Sequence, residues 1–179
     1  MAANEIAIVM STERDMLVMQ EAAQVLDQFG VSYTLAILFT HQDPERYASF
    51  ASKARSQGIK VIIAGASGAA HLPGMIAAHT SIPVIGVPIK AEDSIDGLDA
   101  IYSILQMPGG IPVATMALNS AKNAAIFALQ VLSLSHPSYQ QLVDAYRKKM
   151  KDDAERMSTN LSSAGYERFL ASVKANLGL

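Results

Sequence analysis

The sequence contains no cysteine, which excludes a disulfide framework, thiolate zinc sites, iron–sulfur clusters and a cysteine nucleophile. It also lacks a basic excess. Fourteen lysines and arginines against 16 acidic residues give a net charge of -2, so no overall positive field attracts nucleic acid or anionic lipid. No uncharged apolar stretch is long enough to span a bilayer, because the longest, Val61 to Pro88, is interrupted by glycines, prolines and two histidines. Met1 to Glu5 offers no basic n-region ahead of an apolar run, so no signal peptide is read. No cluster of His, Asp and Glu has metal-ligand spacing, so no metal site is expected. A cytoplasmic location fits the missing cysteines.

What is present is apolar: half of the 179 residues are hydrophobic and only 17% are charged. A chain of this length buries roughly 70% of its unfolded surface in one core without covalent staples. The apolar surplus points to additional burial between subunits.

Short buried-strand signals alternate with helical ones. Strands are expected at Ile6–Met10, Val31–Phe39, Lys60–Ala64, Pro83–Val87 and Ile111–Leu118. Between and after them, helices are expected at Asp15–Gly30, Pro44–Gly58, about Leu72–His79, Gly97–Gln106 and Ala121–Ser135. This β-α-β-α order predicts an α/β protein with an open parallel sheet and helices on both faces. Beyond His136-Pro137 the pattern predicts a charged amphipathic helix at Tyr139–Met157, a polar break at Ser158–Gly165 and a last helix at Tyr166–Leu179. The chain is therefore divided into an α/β domain, 1–157, and a C-terminal helical extension, 158–179. That extension either packs on its own subunit or reaches a neighbour.

Ligands of such sheets bind beyond the carboxyl ends of the strands, and four loops fall there. Ser11-Thr12-Glu13-Arg14-Asp15 places hydroxyls and a guanidinium ahead of a helix N-terminus, either as an anion cradle or as a plain helix cap. His41 ends a strand in Phe39-Thr40-His41-Gln42-Asp43-Pro44, where an imidazole can shuttle protons. Gly65-Ala66-Ser67-Gly68-Ala69-Ala70-His71-Leu72-Pro73-Gly74-Met75 is neither a dinucleotide fingerprint nor a P-loop, but its small residues let a ligand approach the backbone. Gln106-Met107-Pro108-Gly109-Gly110 reads as a rigid turn. Among the remaining histidines, His79 has a structural reading and His136 that of a helix C-terminal cap.

Gly65 to Ala78 resembles the G-A-G-G-A-A-H-L-P-G-M-I-A-A signature of the PurE family, N5-carboxyaminoimidazole ribonucleotide mutases of purine biosynthesis. Ile82–Pro88 and Tyr102–Pro108 match its next two segments in order, and the resemblance runs from about Ile6 to Tyr146. It implies a flavodoxin-like three-layer α/β/α sandwich and a homo-octamer whose active sites are shared between subunits. The implied substrate is a small imidazole ribonucleotide, with CO2 released and recaptured in a sealed pocket and no metal or organic cofactor. His-Leu-Pro-Gly-Met resembles the bacterial mutase branch rather than the branch that uses free CO2.

Carried over by position, His41 is the implied catalytic proton carrier, and Gly65, Ser67, Ala69, Ala70, His71 and Leu72 the implied cage for CO2 and carboxylate, largely through backbone groups. Asp15 matches the aspartate that holds the ribose hydroxyls, and Thr12 replaces a serine of the same motif. The phosphate end departs from the family pattern: Ser11 replaces a glycine, Arg14 a serine, Phe39 a serine, Gln42 an arginine, Asp43 a threonine and Gly109 an arginine. Glutamine cannot replace a guanidinium–phosphate pair, whereas Arg14 could return the charge from the other side of the pocket. Three readings follow. They are a working mutase, a related carboxylase or decarboxylase with another small substrate, and an octameric paralogue without turnover.

Overall fold

A computed structural model describes residues 4–177. Five parallel strands, β1 (Ile6–Met10), β2 (Tyr33–Ile37), β3 (Val61–Ser67), β4 (Val84–Ile89) and β5 (Ala114–Thr115), lie in the order β2-β1-β3-β4-β5. The order reverses between β1 and β3, which opens a crevice beyond their carboxyl ends. Continuous apolar runs make the inner strands: β1 and β4 are buried at every residue, and β3 at every residue but Ser67. The edge strand β2 is only half-buried.

Alternation along the strands sorts the core into two layers. Ile6, Ile8, Met10, Val61 and Ile63 face α1 (Met16–Gln28) and α5 (Ala121–Ser133), where they meet Met19, Leu26, Ala125 and Leu129. Ala7, Val9, Ile62 and Ala64 face the other side, packing with α2 (Pro44–Lys53), α3 (His71–His79) and α4 (Leu98–Leu105) through Ala51, Ile76 and Ile104. This is the parallel sheet with helices on both faces that the alternation of elements predicts, and the flavodoxin-like α/β/α sandwich that the family resemblance implies.

Several boundaries differ from expectation. The fifth strand shrinks from Ile111–Leu118 to two residues, because Pro112 has no N–H to give and only Ala114 and Thr115 register with β4. The chain still follows β4 irregularly, with Met116 N–H donating to Gly86 O at 2.8 Å and Asn119 N–H to Pro88 O at 2.8 Å. The second helix stops at Lys53 rather than Gly58 and unwinds through turns.

The polar break expected at Ser158–Gly165 is absent. Helix α6 runs unbroken over Pro137–Ala164, across residue 157, and α7 follows at Tyr166–Asn176. The hydroxyls that suggested a loop bond back into the helix: Thr159 Oγ1 donates to Glu155 O at 2.9 Å and Ser162 Oγ to Ser158 O at 3.0 Å. Only Gly165, at φ 77° and ψ 161°, interrupts it. The end of the last expected helix, Gly178-Leu179, lies outside the described residues. Val143 is the only residue of α6 that is fully buried, and α7 has none.

Candidate functional site

The β1 loop is organised by a buried carboxylate. Asp15, 1% exposed, closes the turn after β1 through one oxygen: Oδ2 accepts from Ser11 Oγ at 2.7 Å and from Thr12 N–H at 2.9 Å. Its second oxygen, Oδ1, is buried without a hydrogen-bond partner. A buried unpaired carboxylate oxygen is costly, which makes Asp15 the least satisfied acceptor of this loop. Arg14 is exposed in the same short 3-10 turn, Glu13–Asp15.

The β2 loop raises His41. The 39–43 turn is closed by Asp43 N–H donating to Phe39 O at 3.1 Å, which leaves His41 and Gln42 exposed and Thr40 buried. Asp43 turns away from any anion, because its Oδ1 caps α2 by accepting from Arg46 N–H at 3.1 Å. The carboxylate that stands where the family pattern has a threonine is used as a helix cap.

The β3 loop supplies the facing wall. Ala70 N–H donates to Ser67 O at 3.2 Å, and Gly68 at φ 61° and Ala70 at φ 22° carry the left-handed backbone that the turn needs. A side chain on Gly68 would meet nothing within 4 Å, so this stretch of backbone borders open space. Here the implied cage divides. Ser67, Ala69 and His71 reach the surface, while the Leu72 side chain is fully buried in the core and leaves only its backbone to the loop. Gly65 is buried as well, and a Cβ there would strike the Met19 Sδ. Its lack of a side chain serves the packing of α1. Gly74 likewise makes room for Met107, whose Sδ would lie 2.6 Å from a Cβ.

The three loops converge. The His41 and His71 rings stand perpendicular, at 87°, with centroids 5.3 Å apart, so the imidazole after β2 overhangs the turn after β3. Ser11 N–H donates to Gly65 O at 3.2 Å, which joins the β1 loop to the same edge. The sequence reading missed the unpaired Asp15 oxygen and the His41–His71 ring contact, because each depends on tertiary placement. Among the described residues no group of three or more His, Cys, Asp or Glu is arranged to hold a metal, and no helix is long and apolar enough to cross a membrane.

The other two histidines differ from each other. His79 Nδ1 donates to Met75 O at 2.9 Å and its ring meets Tyr47 edge-on, a structural role. His136 closes the end of α5 through its backbone, its N–H donating to Leu132 O at 3.0 Å, and not through its side chain. It sits at the N-cap of α6, with Nε2 2.8 Å from Lys60 Nζ. Since the ammonium can only donate, Nε2 accepts. Lys60 also pairs with Glu5, and Tyr139 Oη donates to Glu5 Oε2 at 2.6 Å. This cluster lies at the amino edge of the sheet, as do two clefts of about 700 and 630 Å³. The candidate site, at the opposite edge, is an open face of the single chain.

A doubly wound sheet with an exposed imidazole over a small-residue turn at its switch point is the arrangement of an α/β enzyme acting on a small bound molecule. The chain belongs to the AIR carboxylase family, whose model matches residues 5–153. It is 49% identical to an N5-carboxyaminoimidazole ribonucleotide mutase of Pyrococcus horikoshii over 93% of either chain. A Thermotoga maritima protein of the same description is 45% identical over 92% of this chain and 96% of its own. The solved structure of Treponema denticola PurE superposes with a TM-score of 0.75 at 27% identity, covering 90% of this chain and 98% of that one.

Proposed function

We propose that the chain is an N5-carboxyaminoimidazole ribonucleotide mutase that moves a carboxylate from the exocyclic nitrogen to C4 of the imidazole. The observation that carries this reading is the convergence of His41 with the Ser67–His71 turn at the carboxyl edge of the sheet. Loss of CO2 from the carbamate leaves the nitrogen needing a proton, which His41 supplies. Attack of C4 on the retained CO2 leaves a ring proton to remove, which the same imidazole takes back. One group thus closes the proton balance. The backbone from Ser67 to His71, with the backbone at Gly65 and Leu72 beneath it, holds CO2 and the carboxylates.

The nucleotide's ribose is assigned to Asp15, whose unpaired Oδ1 would accept a hydrogen bond from a ribose hydroxyl. Its phosphate is assigned to Thr12, Arg14 and Gln42. Among the described residues Arg14 forms no ion pair, which leaves its guanidinium available for a charge-assisted bond. Relatives at 45–49% identity described as mutases do not favour a changed substrate or an inert paralogue. The enzyme is further proposed to be a cytoplasmic homo-octamer. Apolar side chains left open on α4, Leu98, Tyr102 and Leu105, at 45%, 57% and 57% exposure, support burial against a neighbour.

Offering N5-carboxyaminoimidazole ribonucleotide to the purified protein tests the reading. The wild type should convert it, and His41→Asn should bind it with little loss while turning over at least 100-fold more slowly, as expected for removal of a general acid–base. Arg14→Ala should raise KM about tenfold or more, with kcat little changed. A wild type that neither binds nor converts the nucleotide refutes the assignment. An Arg14→Ala enzyme with unchanged KM refutes the phosphate site alone.

A further inference from the structure

His41 stands at the tip of its turn with no hydrogen bond to either ring nitrogen among the described residues. Both nitrogens are therefore free for the substrate, but an exposed side chain without a partner samples several rotamers. A proton carrier loses much of its effect when its reach wanders by an ångström. Its ring meets the perpendicular ring of His71, with centroids 5.3 Å apart. The backbone that carries that ring is well fixed. His71 is the first residue of α3, between the hydrogen-bonded Ser67–Ala70 turn and the buried Leu72 and Pro73. Edge-to-face packing at this separation orients two rings while leaving their polar atoms available.

We infer that His71 is the positioning residue for His41: its imidazole holds the catalytic ring over the cage by aromatic contact, while its backbone alone serves the carboxylate. This rests on the mutase reading above and adds to it a division of labour between the two histidines. A role through ring contact requires an aromatic side chain at 71, whereas direct contact with substrate requires its nitrogens. Phenylalanine keeps the ring and removes the nitrogens; asparagine keeps a polar group and removes the ring.

The test compares His71→Phe, His71→Asn and His71→Ala for kcat and KM. The ring-proton resonance of His41 is followed in parallel with 13C-labelled histidine, identified by its loss in His41→Asn. His71→Ala and His71→Asn should lower kcat about 10- to 100-fold with KM within about threefold, and His71→Phe should recover most of that loss. The His41 resonance should carry a ring-current displacement in wild type and His71→Phe that vanishes in His71→Ala. If asparagine rescues and phenylalanine does not, or if alanine leaves kcat untouched, the inference is wrong. A wild type that leaves the nucleotide unconverted overturns the mutase reading and this inference with it, while one that turns over without rescue by phenylalanine overturns the positioning role alone.

Discussion

At position 65 even a methyl group has nowhere to go, because the Met19 thioether fills the space a Cβ would take. Met19 is fully buried, so it cannot swing out to solvent. Gly65→Ala should cost about 1–3 kcal/mol in denaturant unfolding, the range for overpacking a core. Met19→Ala should cost about 2–5 kcal/mol by leaving a cavity. The double variant should be more stable than the sum of the two losses by at least ~1 kcal/mol, since each change relieves the other. Strict additivity would show that the glycine is there for some other reason. The family resemblance put the backbone of this residue in the ligand cage by position, and its packing role against Met19 is a separate one. The true neighbour is far away in the chain and invisible to local pattern. His41 falls where the strand and helix signals put it, in the turn between β2 and α2, but its role as proton carrier comes from the family resemblance, because a lone imidazole there suits a surface or capping residue as well.

Elements joined at the amino edge give a second prediction. Glu5, ahead of β1, receives Lys60 from ahead of β3 and Tyr139 from the first turn of α6. Burial pushes the Glu5 carboxyl up, but the hydrogen bonds from Lys60 and Tyr139 and the nearby charge of Lys60 outweigh it and hold the group below its ordinary 4.5. Burial, and then the carboxylate that accepts its proton, push the Tyr139 hydroxyl up to about 12. The Glu5 contribution to stability is present above pH 4.5 and is lost as pH falls through the lowered value. The Tyr139 contribution is present below its ordinary 10.0 and is lost between there and about 12. Denaturant midpoints measured across pH should therefore fall at both ends. Tyr139→Phe should flatten the alkaline fall and Glu5→Gln the acid one. An alkaline fall of the same size in Tyr139→Phe would mean that other groups carry it. None of these contacts could be read from sequence, where His136 looked like a terminal cap. Helix α6 itself was half legible: its apolar stripe announced a helix, but serines and threonines suit loops and helices alike until their hydroxyls find a carbonyl one turn back.

For the whole molecule the decisive fact is that His41 and His71 lie at the open face of a single chain. The proposed chemistry releases CO2 and recaptures it, and an open face would lose the gas to water before C4 could attack. A single protomer is thus suited to bind nucleotide and poorly suited to retain CO2. In the proposed octamer a neighbouring subunit would close the site, and the open apolar face of α4 is a surface through which it would associate. Light scattering should give a mass about eight times the 19.1 kDa chain. Leu98→Asp combined with Tyr102→Asp should dissociate it, since both side chains are exposed and removed from the fold's core. The α/β domain should keep its circular dichroism, because Ala100 and Ile104 hold the buried face of the same helix. Conversion to the 4-carboxylate should then fall at least tenfold relative to CO2 escape, which trapping of the decarboxylated nucleotide would reveal. A dissociated variant that carboxylates as efficiently as the assembly would show that the protomer seals its own cage, and the neighbour would have no part in the chemistry.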